Sequence, residues 1–289
     1  MTTSAFRDIM MRIETHTSTP LTRLQKQDAA GEQLQNLFNE ILTSAGRPGY
    51  ASAEAYESEN SIQDDIQQDW NDWFSVANTG NYPDDVDASS LPSDYGNLLV
   101  RSYNEGGYVD PQGFLKNLTK DELATVQHVN RLADPINVDE LTPEAALNLL
   151  IPRPAQIDLN YDGLTQVGKG YMIRFPDSRT PEAVVNAWKE TTADMDPMER
   201  SFYELQMKLP TLLANIQVDD QGRYVSHTEP GDPNWVNPQA DSNYSYTELT
   251  EQMLDYLDYF QHQIPKQQYE QQRAFYSALQ QSLLAHGAR

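Results

Sequence analysis

Helix-opening signals recur along this 289-residue chain, and they constrain its fold more than any other feature. Thr119-Lys120-Asp121-Glu122 is a capping box, in which the Thr hydroxyl and the Glu carboxylate each satisfy a free amide at the helix end. Thr142-Pro143-Glu144-Ala145, Thr180-Pro181-Glu182-Ala183 and Asp196-Pro197-Met198-Glu199 each place a cap before a first-turn proline and an acidic residue. Thr19-Pro20, and Ser61 with Asp64, open two earlier helices. The shared Thr-Pro-Glu-Ala is the grammar of helix starts rather than an internal repeat, because the flanking residues do not match.

Apolar residues then recur at helical spacing. Ile62, Ile66, Trp70, Trp73 and Phe74 share a face, as do Leu249, Met253, Tyr256 and Phe260, and later Tyr269, Tyr276, Leu279 and Leu283. Met198, Phe202, Leu205, Leu209, Leu212 and Ile216 form a stripe expected to face the core, with a kink at Pro210. Two stretches read as strands. Tyr171 to Phe175 is β-prone and stopped by Pro176, and Ile216-Gln217-Val218 with Arg223-Tyr224-Val225 forms a hairpin around Gly222. The expected fold is mainly α (α+β): a helical bundle-like array with a small antiparallel β element around residues 155–227. The expected organisation is an acidic helical region over 1–104, then a helical domain over 105–289 that carries the β element. A long loop from Glu229 to Asn243 would be anchored by Trp235.

Charge narrows the partners. The chain carries 20 Lys and Arg against 43 Asp and Glu, a net charge of −23. Such a surface repels phosphate backbones, so neither nucleic acid nor an anionic membrane is an expected partner. From Pro48 to Val100 there is no Lys or Arg, while eleven acidic residues fall there. That stretch reads as a solvated acidic face, a cation-binding surface or a dock for a basic protein. No apolar run is long enough to span a bilayer. There is no cysteine, which excludes disulfides, zinc-thiolate sites and Cys nucleophiles, and fits an exposed location slightly better than the cytosol. The first twelve residues lack the apolar core of a cleaved secretory signal.

One motif carries chemistry. Asp158-Leu159-Asn160-Tyr161-Asp162-Gly163 matches D-x-N-x-D-G, where side chains at positions 1, 3 and 5 wrap a hard cation and Gly at 6 permits the sharp turn. It resembles the first half of a calcium loop of the EF-hand or dockerin type, over six of the 289 residues. The resemblance implies a Ca2+ ion held by the side chains of Asp158, Asn160 and Asp162 and by the Leu164 carbonyl. It departs from that pattern at position 12, where Lys169 stands in place of an acid, and at position 8, where Thr165 replaces an aliphatic residue. Asp177, Asp219 and Asp220 are the candidates to supply the missing carboxylate. The plain alternative is an Asx-rich turn without metal, since Asp, Asn and Gly favour turns by themselves.

The motifs of serine hydrolases, zinc proteases and nucleotide-binding loops are absent, and the five histidines are far apart. The expectation is therefore a non-catalytic structural or protein-interaction protein. It would be stabilised by one weakly bound calcium, and would sit in an extracellular or surface assembly with a protein partner or further copies of itself. Two rivals stand beside it. One is a glycan-acting hydrolase with an unassigned carboxylate pair; the other is a cytoplasmic adaptor whose acidic face takes a basic partner.

Overall fold

The computed structural model describes residues 21–77, 80, 82–83 and 86–288. Helix α1 (Arg23–Ser44) starts behind Thr22, whose hydroxyl accepts from the Gln25 amide in a full capping box. The Thr19-Pro20 start lies outside the described residues. Helices α2 (Ile62–Ala77), α3 (Leu91–Asn104), α4 (Pro111–Lys116), α5 (Lys120–Val129) and α6 (Pro143–Asn148) follow. The capping box at Thr119 forms as read, with the Thr119 hydroxyl accepting from Glu122 N–H and the Glu122 carboxylate accepting from Thr119 N–H. Strands β1 (Thr165–Val167) and β2 (Gly170–Met172) make a small antiparallel pair. Helices α7 (Glu182–Thr192) and α8 (Pro197–Leu213) lead to a second pair, β3 (Ile216–Val218) and β4 (Tyr224–His227), and then to α9 (Tyr246–Phe260) and α10 (Lys266–Ala285). The fold is thus mainly helical with two small antiparallel sheets.

Two apolar cores organise these elements. The first runs from Leu34 to Val167, gathers α1, α2 and α3 around Trp70, Tyr95 and Phe38, and continues on both sides of residue 104. The second runs from Phe175 to Leu283 and packs α7, α9 and α10 around Trp188, Tyr203 and Phe275. Tyr203 and Phe275 stack at 3.6 Å between ring centroids, while Phe175 and Trp188 meet edge to face at 4.9 Å.

The α8 stripe does not face the core. Met198 is 83% exposed and Phe202 40%, and Leu205 and Leu213 are exposed too. The buried face is Tyr203, Met207, Lys208 and Thr211. The helix is apolar on two sides, and the side that carries a ring to stack on Phe275 and an ammonium to pair with Asp177 is the one buried. The strand expected over Tyr171 to Phe175 is also shorter: β2 ends at Met172, and Phe175 enters the second core.

Helix α2 holds two buried acids one turn apart. Asp65 accepts from Ser58 Oγ at 2.9 Å and Asn60 Nδ2 at 3.1 Å, and Asp69 accepts from the Tyr56 hydroxyl at 3.0 Å. Burial pushes the Asp69 carboxyl up to about 6; the Tyr56 hydrogen bond opposes this, and Asp65 and Asp72 add to it. A carboxyl raised in the folded state contributes stability that is full below about pH 4 and is lost as pH rises through about 6. Asp69→Asn keeps an acceptor for Tyr56 but removes that titration. Urea denaturation should show the variant gaining about 2 kcal/mol on the wild type between pH 4 and pH 7.5. An equal difference at both pH values refutes the assignment.

Candidate metal centre

The 158–164 loop leaves the first core at Ile157 and returns into β1. It adopts the tight turn that its spacing implies. Tyr161 and Gly163 both take positive φ, +64° and +85°. A Cβ on Gly163 would also come within 2.8 Å of the Asn237 side chain, so glycine is required there twice over. The polar side chains turn inward onto backbone amides. Asp158 Oδ2 accepts from Gly163 N–H at 2.9 Å and its Oδ1 from Asp162 N–H at 3.2 Å. Asn160 Oδ1 accepts from the same Asp162 N–H at 3.0 Å, and Asp162 Oδ1 accepts from Leu164 N–H at 2.8 Å. The four residues of the motif are therefore brought together in one turn. Burial pushes the Asp158 carboxyl up to about 6; the Gly163 amide and Lys208 oppose that, while Asp162 and Asp177 reinforce it.

A carboxylate that the sequence did not point to lies against this loop. Glu144, in the first turn of α6, is buried and accepts from Gln166 N–H at 2.6 Å, Leu159 N–H at 3.0 Å and Asn160 N–H at 3.2 Å. It ties both ends of the turn to the start of α6. Burial raises its carboxyl to about 7, the Gln166 and Asn160 amides counteract this, and the charges of Asp158 and Asp162 add to it. The only sequence signal was an acid at a helix start, and that reading accounts for Glu144 without any loop.

Two of the three candidates for the missing carboxylate are paired elsewhere. Asp177 is spent on Lys208, whose Nζ donates to it and to Gln239 Oε1 at 2.8 Å. Asp219 sits in the exposed hairpin turn and is held by Arg223 at 2.6 Å. Asp220 follows it in the same turn. Lys169, at position 12, has its ammonium 2.6 Å from Glu140. Three further groups close the loop from outside. Trp235 Nε1–H donates to the Asp162 carbonyl at 2.8 Å, which anchors the long 229–243 loop as expected, and Asn237 Nδ2 donates to the Tyr161 carbonyl at 3.0 Å. The Arg179 guanidinium lies 3.5 Å from the Tyr161 ring centre and its Nε donates to the Asp158 carbonyl at 3.0 Å.

This donor set contains two carboxylates, one amide oxygen and one carbonyl, fewer than the six to eight oxygens a calcium ion takes. Among the described residues no three His, Cys, Asp or Glu side chains gather as a group able to hold a metal. A hard cation at this turn would have to take most of its shell from water. Glu144 is committed to three amides and acts through the loop's shape rather than as a ligand.

Two clefts lie elsewhere on the surface. A polar one of about 450 Å³ is lined by Gln33, Asn36, Glu54, Tyr56 and Glu57. An apolar one of about 420 Å³ adjoins the loop at Leu164 and is walled by Tyr171, Leu212 and Trp235. No known family model matches the chain, and no curated protein or solved structure matches it either.

Proposed function

We propose that this chain is a non-catalytic structural or protein-interaction protein in which the 158–164 loop takes up one weakly bound calcium ion. Asp158, Asn160 and Asp162 side chains and the Leu164 carbonyl would hold it. The observation that carries the reading is the closed turn itself: its three polar side chains are already oriented by backbone amides, with a glycine that nothing else can replace. The ion would supply no chemistry beyond charge neutralisation. The chain's own part is to hold the turn, through Glu144 on one side and Trp235 on the other. Calcium affinities near 10⁻⁴–10⁻³ M are those of extracellular modules, so the ion would fill in an extracellular or surface assembly and not in a calcium-poor cytosol.

A hydrolase reading has less behind it. Its acid would need a desolvated pocket, and Glu54 and Glu57, the acids of the polar cleft, are both exposed. Among the described residues the apolar cleft is lined by a single carboxylate, Glu229.

Thermal denaturation in ~10 mM calcium against chelator tests the proposal. Binding at that affinity stabilises by about 1.4–2.7 kcal/mol, a rise in midpoint of about 2–5 °C for a chain of this size. Asp162→Ala should abolish the rise. An unchanged midpoint for the wild type sinks the calcium site.

A further inference from the structure

We infer that the β3–β4 hairpin and the apolar cleft beneath it dock a basic, extended polypeptide segment, which lies along the hairpin and seats one apolar side chain in the cleft. This rests on the interaction-protein reading above and names its surface and partner class. The hairpin is a poor match for free solvent. All of its strand residues are exposed, among them Val218 at 59%, Tyr224 at 62% and Val225 at 60%. Among the described residues each strand has only the other as a neighbour, which leaves an edge for an added strand. The exposed apolar surface continues through Ile216 and Leu213 into α8. Next to it the cleft, about 420 Å³, presents Leu164, Tyr171, Ile173, Leu212 and Trp235, which is room for one large apolar side chain.

Charge selects the occupant. Among the described residues no Lys or Arg lines the cleft, and Glu229 stands in its wall. His227 Nε2 lies 2.5 Å from Glu229 Oε1, and the Tyr224 hydroxyl lies 2.6 Å from His227 Nδ1, so the carboxylate is positioned while its side chain stays 67% exposed to an incoming cation. The chain from Tyr224 to Pro265 contains seven carboxylates and no Lys or Arg. Arg223, at the hairpin turn, is already paired with Asp219. A second copy brings another −23 to this surface and is repelled, whereas a segment alternating Lys or Arg with apolar residues is attracted and fits the strand period.

The test uses the full chain and fluorescence anisotropy with labelled peptides of about eight residues. One alternates Lys with Val and Phe; a second keeps every Lys but replaces the apolar positions by Ser; a third replaces Lys by Glu. The first should bind at least about tenfold more tightly than either other peptide, and should shift Trp235 fluorescence. Val225→Lys and Glu229→Lys, both at exposed positions, should each weaken it about tenfold and leave the thermal midpoint in place. Equal binding of the Ser peptide means attraction to the acidic surface alone and overturns the proposal, as does indifference to both substitutions. Hairpin-dependent self-association in sedimentation overturns it in favour of a second copy. Running each titration in calcium and in chelator separates the outcomes: lost peptide binding with an intact calcium shift removes this dock only, and the converse removes only the metal.

Discussion

Lys208→Met should destabilise the protein by about 3–5 kcal/mol, the usual cost of removing one member of a buried ion pair. Lys208 is fully buried on α8, and its Nζ donates to Asp177 and to Gln239 Oε1. Burial alone would raise the Asp177 carboxyl; the Lys208 ammonium, with donors from Arg179 and Thr180, outweighs burial and holds it below the ordinary carboxylate value. That pair joins α8 to the 176–180 turn, and the turn in turn meets both cores. Ser178 accepts Ala51 N–H through its carbonyl at 2.9 Å and Asp158 N–H through its hydroxyl at 3.0 Å. Methionine fills the volume of the lysine stem but leaves Asp177 buried and unpaired. The sign of the pH dependence then reverses. In the wild type the lowered carboxyl contributes stability above about pH 4 that is lost as pH falls below it. In the variant an unpaired buried carboxyl is raised, so its ionisation costs stability as pH rises. The gap between variant and wild type, read by urea denaturation, should therefore be larger at pH 8 than at pH 4.5. Lys208→Met with Asp177→Asn should recover a large part of the loss, because no charge remains to be compensated. A single-variant cost below about 1 kcal/mol, with no dependence on pH, would show that the pair behaves as an exposed one.

Local grammar was legible and distant pairing was not. The capping box at Thr119, the capped first-turn prolines at Pro143 and Pro197 and the Gly222 hairpin depend on residues within four positions of one another, and each forms as its sequence implies; at Thr180-Pro181 the proline itself caps α7, while the Thr180 hydroxyl turns to Asp177. The turn of the calcium-like loop was legible for the same reason. What the sequence could not show is what the loop rests on. Glu144 is 14 residues before Asp158, and Trp235 is 73 residues beyond the carbonyl it caps. Neither separation leaves a periodic trace. The α8 stripe misled because apolar spacing marks a face without saying which partner buries it. Met198, Phe202 and Leu205 keep the helical period but stay exposed, while the buried side includes a lysine and a threonine. A lysine scores as surface in any periodicity argument, and it enters the interior here only because Asp177 folds in to meet it. The same exposure that defeated the stripe leaves the apolar surface that runs from α8 into the hairpin.

Glu144→Ala should cost about 3–5 kcal/mol, through orphaned amides rather than lost contact area. The carboxylate is the acceptor for Gln166 N–H, Leu159 N–H and Asn160 N–H, whereas the loop's own acceptors, Asp158, Asn160 and Asp162, face the amides of Asp162, Gly163 and Leu164. Each buried donor left without a partner costs about 1–3 kcal/mol, and water entering the vacated space returns part of that. Glu144→Gln keeps the shape and one accepting oxygen but turns an NH2 toward amides that also donate, so it should fall between wild type and alanine. Hydrogen exchange localises the effect. The amides of residues 159, 160 and 166 should lose protection in the alanine variant, and only those facing the new NH2 in the glutamine variant, while those of α9 and α10, in the other core, should not. The same variants probe the metal reading without touching a proposed ligand. If the loop's shape is what gathers Asp158, Asn160 and Asp162, then Glu144→Ala should lose the calcium-dependent rise in midpoint together with the protection of those three amides. Retention of the calcium response alongside unprotected amides would mean that the ion, and not α6, organises the turn. Full protection in the alanine variant would mean that the carboxylate supports nothing there.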